Sequence, residues 1–160
     1  MDNSKYEELL DALNNSKFIN NTNRRTYLAE DKKGYSNPVG LKWNYLNGSY
    51  ESCKFDEVNG DTVFNLVCDI LKKEKPDFKF NALTINKNFL SNWHYDRGNN
   101  GDSCIFALGD FSGGRLMTRD EEYITFIDIY KSPYIFKASE IEHRTESFSG
   151  LRYCVVAYWI

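Results

Sequence analysis

Trp93-His94-Tyr95-Asp96-Arg97 is the stretch on which the fold of this 160-residue chain turns. Read as extended backbone, it sends His94 and Asp96 to one face and Trp93 and Tyr95 to the other, because side chains alternate along a strand. The chain has two histidines, His94 and His143, and Arg152 follows the second by nine residues. Two imidazoles and one carboxylate can cap one face of an Fe(II) octahedron, leaving three positions open for a cosubstrate and O2. Arg152, on the strand after His143, can pair with a carboxylate of that cosubstrate.

Working outward, helical periodicity disappears after Phe78 and strand-like pieces follow one another. They span 78–86, 92–97, 103–110, 114–118, 122–129, 133–137, 141–147 and 151–159. Turn formers separate them, among them Gly98-Asn99-Asn100-Gly101, Gly113-Gly114 and Ser149-Gly150. Short strands at this spacing predict a jelly-roll or other two-sheet architecture. Ahead of them, Ser4-x-x-Glu7 has capping-box form, and Tyr6, Leu9, Leu10 and Leu13 follow at helical spacing. Asp61 is placed to cap a second helix carrying Val63, Leu66, Val67, Ile70 and Leu71, which Pro76 stops. Asn47-Gly48 between 41–45 and 50–55 signals a hairpin. Residues 14–40, rich in Asn, read as a connecting segment, or as a basic lip through Arg24, Arg25, Lys32 and Lys33. The expected fold is α+β: N-terminal helices and a hairpin (1–77) supporting a β core (78–160), all one domain.

Hydrophobic residues at 41% and aromatics at 16% exclude wholesale disorder. A net charge of -3 is not that of a general nucleic-acid binder, although a local basic stripe can suffice. The four cysteines (Cys53, Cys68, Cys104, Cys154) form no CxxC pair and read as core thiols of a reducing compartment. With an opening of Met1-Asp2-Asn3-Ser4-Lys5 and no long apolar run, an intracellular protein is expected.

The bland readings are that His94-x-Asp96 is surface polarity, that His143-Arg144 is a solvated loop, and that Arg152 faces solvent. A structural zinc site would want more Cys and His ligands at close spacing. The conjunction favours iron. An arginine on a face with Cys154, Val156 and Tyr158 needs an anion partner if buried, and a dicarboxylate supplies one. Trp93 and Tyr95 are expected in core packing. Arg97, Arg115 and Arg119 read as surface charge, with substrate contact as the alternative.

Asn81 to Trp159 resembles the Fe(II)/2-oxoglutarate-dependent dioxygenases with their double-stranded β-helix, through His94-x-Asp96, His143 and Gly150-x-Arg152. The resemblance implies that His94, Asp96 and His143 ligate Fe(II) and that Arg152 binds the distal carboxylate of 2-oxoglutarate. It implies hydroxylation of a substrate C–H bond with O2, releasing succinate and CO2. Asn81 and Asn86 are further candidates for contact with the cosubstrate. Asn81-Ala-Leu-Thr-Ile-Asn86 and Leu108-Gly-Asp-Phe-Ser-Gly-Gly-Arg-Leu116 are similar to the TET/JBP-like and AlkB-like branches, which implies a modified nucleobase in nucleic acid as substrate. A prolyl-hydroxylase-like branch shares the Gly-Gly-x-Leu hairpin, which keeps a protein substrate open, as it does a small molecule. A non-catalytic β-helix binding module is the reading from another class.

Overall fold

Along the last strand, Tyr153, Val155 and Ala157 turn to one side of the sheet and Cys154 and Val156 to the other. That alternation divides the molecule into layers. The computed structural model describes residues 3–19, 34–44, 48–53 and 59–160, with only the main chain at 42–44, 50, 51 and 53. Its elements are α1 (Ser4–Asn14), β1 (Tyr35–Asn44), β2 (Ser49–Cys53), α2 (Gly60–Glu74), β3 (Ala82–Lys87) and β4 (Asn100–Gly113). Then come β5 (Leu116–Arg119), β6 (Ile124–Ile127), β7 (Tyr134–Phe136), β8 (Glu142–Thr145) and β9 (Phe148–Trp159). A six-stranded antiparallel sheet, β2-β1-β3-β9-β4-β7, lies against a three-stranded one, β6-β5-β8. The α+β reading holds.

The helices cover the outer face of the large sheet. Tyr6, Leu9 and Leu13 of α1 and Val63, Val67, Ile70 and Leu71 of α2 are buried against Leu83, Ile85, Phe106 and Val155. Each such aliphatic side chain contributes about 1.5–3 kcal/mol by leaving water. This is what holds α1, since an isolated helix shorter than about 12 residues is marginal in water. A second core fills the space between the sheets: Ile105, Ala107, Cys154 and Val156 meet Leu116, Ile129, Phe136 and Ala138.

Several boundaries differ from the sequence reading. β1 starts at Tyr35, inside the stretch expected to be a connection. Asn37 there is not a turn residue: its Oδ1 accepts from Ile19 N–H and its Nδ2 donates to Ile19 O, at 2.9 and 2.8 Å. Pro38 is tolerated because, among the described residues, β2 pairs with β1 over Gly40–Asn44 and does not reach Pro38 on that side. The expected strand over 92–97 is reduced to a single bridge, His94 to His143. Ser4 and Asp61 are helical residues and not caps, because the N-cap positions fall on Asn3 and Asn59. β1 and β2 do pair as a hairpin, though Asn47 at its turn lies outside the described residues. So do Arg24, Arg25, Lys32 and Lys33, on which the basic lip depended.

Among the described residues no helix is long and apolar enough to cross a membrane. Cys68, Cys104 and Cys154 are free thiols. Burial pushes the Cys104 thiol up to about 12 and raises Cys154 as well. Only the thiolate attacks an alkylating agent. At pH 8 and without denaturant, Cys104 and Cys154 should therefore resist iodoacetamide for hours, as peptide mass spectrometry would report. Rapid labelling of either would contradict the two buried cores.

Candidate metal centre

The bridge between His94 and His143 builds the site. Each residue's N–H donates to the other's C=O at 3.0 Å, so the two imidazoles stand side by side with ring centroids 4.3 Å apart. Asp96 is set by its N–H donating to Ala138 O at 2.9 Å. Its two carboxylate oxygens lie 3.3 Å from His94 Nε2 and 3.4 Å from His143 Nε2. One potential ligand atom from each of the three residues falls within 4.8 Å of the others. His143 is buried, and the side chains of His94 and Asp96 are 11% and 18% exposed.

Both rings use the same device for orientation. Nδ1 of His94 lies 2.6 Å from Asn92 O, and Nδ1 of His143 lies 2.7 Å from Ile141 O, in each case the carbonyl two residues back. A carbonyl only accepts, so each Nδ1 carries a hydrogen and the neutral ring presents its lone pair at Nε2. Two lone pairs and a carboxylate thus converge on one point, an arrangement that calls for a cation. Burial alone would push the Asp96 carboxyl up; with no metal bound, rings that also carry a hydrogen on Nε2 donate it to Asp96, and these bonds from His143 and His94 outweigh burial and hold the carboxyl far below its usual range. Protons on the imidazoles can supply the positive charge; so can one divalent metal. Two nitrogens and a carboxylate on adjoining segments suit Fe(II) with open positions. The carbonyl acceptors are what metal-binding histidines ordinarily require behind them. Main-chain acceptors leave no mark in a sequence, so reading residues alone could not have named them.

Arg152 lies on the same inner face, further along β9. It is 2% exposed, and Phe111 and Phe148 each hold a ring centroid 5.5 Å from its guanidinium carbon. Its Nε and Nη2 donate to Gly114 O at 3.2 and 2.8 Å. Gly114 has to be glycine: its φ is +71°, and a Cβ there would sit 2.7 Å from Arg152 Nε. Among the described residues no carboxylate lies within ion-pair distance of this arginine. Cys154 stands between the two parts of the site. After burial, the largest influence on its thiol, it feels the Arg152 charge, which lowers it, and Asp96, which raises it.

The other candidates fall in different places. Asn86 is opposite Cys154 on the inner face, and its Oδ1 is buried with no hydrogen-bond partner among the described residues. Asn81 is committed elsewhere: its Nδ2 donates to Ile160 O and its Oδ1 accepts from Ile160 N–H, fastening the end of β9. Arg115 and Arg119 are ion-paired to Glu146 and Glu142. Arg97 is exposed and lies over the Tyr95 ring. Trp93 is not in either core; it is half-buried, with the guanidinium carbon of Arg119 4.2 Å from its ring centroid.

No protein-family model and no curated protein matches the chain by sequence. Solved structures do match its fold. An oxidoreductase of the 2OG-Fe(II) oxygenase family from Burkholderia pseudomallei superposes with a TM-score of 0.67 at 12% identity, over 96% of this chain and 77% of that one. A Trichoplax adhaerens prolyl hydroxylase, in complex with a peptide from the hypoxia inducible factor oxygen degradation domain, gives 0.57 at 11%, over 96% and 75%. A bsmA homolog from Methylobium petroleophilum PM1 gives 0.51 at 7%, over 99% and 82%. The chain has the jelly-roll fold that 2-oxoglutarate/Fe(II) oxygenases of known structure share. At these identities the likeness concerns the fold, and the chemistry must be argued from the residues.

Proposed function

We propose that this protein is an Fe(II)- and 2-oxoglutarate-dependent oxygenase that hydroxylates a C–H bond of its substrate. The convergence of His94, Asp96 and His143 on one point carries the reading, and the buried Arg152 on the same inner face supports it. His94 Nε2, His143 Nε2 and an Asp96 oxygen would hold the iron, and Arg152 the far carboxylate of 2-oxoglutarate. Bound iron, with its cosubstrate and O2, supplies the oxidising power.

The chain's own residues do the rest. Asn92 O and Ile141 O keep both imidazoles in the tautomer that offers Nε2 inward. Gly114 O aims the guanidinium, and Phe111 and Phe148 keep water from its faces, which strengthens an ion pair there. Asn86 Oδ1, an acceptor, suits a water accompanying the cosubstrate better than its carboxylates.

For the substrate, the motif resemblance around Asn81 and Leu108 supports a modified nucleobase in nucleic acid, a 5-methylpyrimidine or an N-alkyl base. The fold likeness to a prolyl hydroxylase captured with a peptide supports a protein side chain as the second reading. An anaerobic titration tests the chemistry. Fe(II) followed by 2-oxoglutarate should raise the visible metal-to-ligand charge-transfer absorption of the chelate. Folded protein that shows no such band would leave a non-catalytic binding module standing. Succinate release in the presence of methylated oligonucleotides, proline-containing peptides or small metabolites, with mass spectrometry of the products, then decides the substrate.

A further inference from the structure

Two of the three candidate ligands sit on 92–97, a stretch with no regular strand pairing, and something must keep it against β8. The main chain ties it at three places: the His94–His143 bridge, Asp96 N–H donating to Ala138 O just before β8, and Thr145 N–H donating to Ser91 O at 3.3 Å. The Ser91 and Thr145 hydroxyls add one bond of 2.9 Å. On the outer face of the small sheet a larger contact spans the junction. Arg119 on β5 and Glu142 on β8 are directly opposite in register and ion-paired. The Arg119 guanidinium also lies over the Trp93 indole, its carbon 4.2 Å from the ring centroid, with Arg144 5.8 Å from the same centroid. β8 lies between β5 and the Trp93 segment, so the two side chains together span about two strand spacings of 4.8 Å each. Trp93 is the immediate neighbour of His94, with its side chain on the opposite side of the backbone.

We propose that Arg119 and Trp93 form a strap across β8 that positions His94 and Asp96 for metal binding. They are positioning residues: they act through the backbone of the Trp93–Asp96 segment and touch no ligand. The inference rests on the metal-centre reading above. Hydrogen-bond partners of metal ligands characteristically matter 10–100-fold in affinity, and supports one step further out are expected near or below the low end of that range.

The sign of the effect separates a strap from a nearby charge. If Arg119 acted only through its charge, replacing it by Gln would remove a cation near the site, release Glu142, and tighten binding of a divalent metal. If it acts as a strap, the same change weakens binding. Co(II) titrations of the apo-protein, followed by the cobalt d–d absorption, read this directly and need no turnover. The expected results are a Co(II) dissociation constant raised about fivefold in Arg119→Gln and about tenfold in Trp93→Ala. Arg119→Lys, which keeps the charge but loses the planar guanidinium, should also weaken binding. Trp93→Phe, which keeps an aromatic face, should bind within about twofold of wild type. Arg119 is a surface side chain, 38% exposed, so Arg119→Gln should fold even if Trp93→Ala does not. Wild-type binding that Arg119→Gln leaves unchanged or tightens overturns the strap alone. Absence of Co(II) binding by the wild type overturns the metal-centre reading and the strap with it.

Discussion

Replacing His94 by Ala is expected to lower succinate formation by about a thousandfold or more while leaving the domain folded. The activity loss follows from the donor set: with one imidazole gone, a nitrogen and a carboxylate remain, too few to hold an iron in fixed geometry. A thousandfold corresponds to about 4 kcal/mol of lost transition-state stabilisation. The fold should survive because alanine retains the main-chain pair His94 N–H to His143 O and its reciprocal, and because His94 belongs to neither buried apolar core. Removing the ring also removes one of the hydrogen bonds that hold Asp96 ionised, so that carboxyl becomes easier to protonate. Turnover by 2-oxoglutarate decarboxylation assay and the melting temperature should be measured on the same preparation. A folded variant with near-normal turnover would mean that His94 is not a ligand.

Arg152→Met should separate cosubstrate binding from stability. Methionine keeps an unbranched apolar stem beside Phe111 and Phe148 and drops the charge. Two charge-assisted hydrogen bonds to a carboxylate would go with it, each worth about 1.5–3 kcal/mol, so half-saturation by 2-oxoglutarate should rise by about a hundredfold or more. Stability should move the other way or hardly at all. A buried cation is costly to desolvate, and replacing one with a well-packed apolar side chain is often neutral or stabilising. Against that stands Gly114 O, which loses its donors at a cost of about 1–3 kcal/mol. Co(II) affinity should be close to wild type, since Arg152 touches none of the three ligands. A 2-oxoglutarate requirement that does not change would remove Arg152 from the binding site.

The inner-face geometry was legible because it depends on period-two alternation and on scarcity. With two histidines in the chain, one of them two residues from Asp96, few placements were open, and counting along the last strand put Arg152 on a face with Cys154, Val156 and Tyr158, although a slip of one residue would have turned it to solvent. The long helix α2 was equally plain from its apolar stripe. The misreadings have a common physical cause: residues with strong local preferences were used for long-range bonds. Asn37 and Pro38 lie in a stretch that reads as a connection, yet Asn37 fastens Ile19 and Pro38 sits in β1 opposite Thr84 of β3, beyond the part of β1 that pairs with β2. Asn81 looked like a residue facing the site, but its amide is spent on Ile160. Trp93 looked like a core residue; its partners, Arg119 and Arg144, come from strands whose pairing no local pattern announces. The two carbonyls that orient the imidazoles belong to Asn92 and Ile141, and any side chains would have served.

The order of the strands has a consequence for how the protein comes into being. β9 is late in the sequence but central in the large sheet, between β3 and β4, and it brings Arg152 and Cys154 with it. Protein chains emerge from the ribosome N-terminal end first. His94 and Asp96 are therefore made well before His143, and the gap between β3 and β4 stays open until β9 arrives to fill it. A half-made chain can present a carboxylate and an imidazole to a passing metal, but neither the third ligand nor the buried cation exists yet. On the proposed function, the cosubstrate's cation arrives last, with the strand that closes the sheet, so a chain lacking β9 would have no Arg152 with which to bind 2-oxoglutarate.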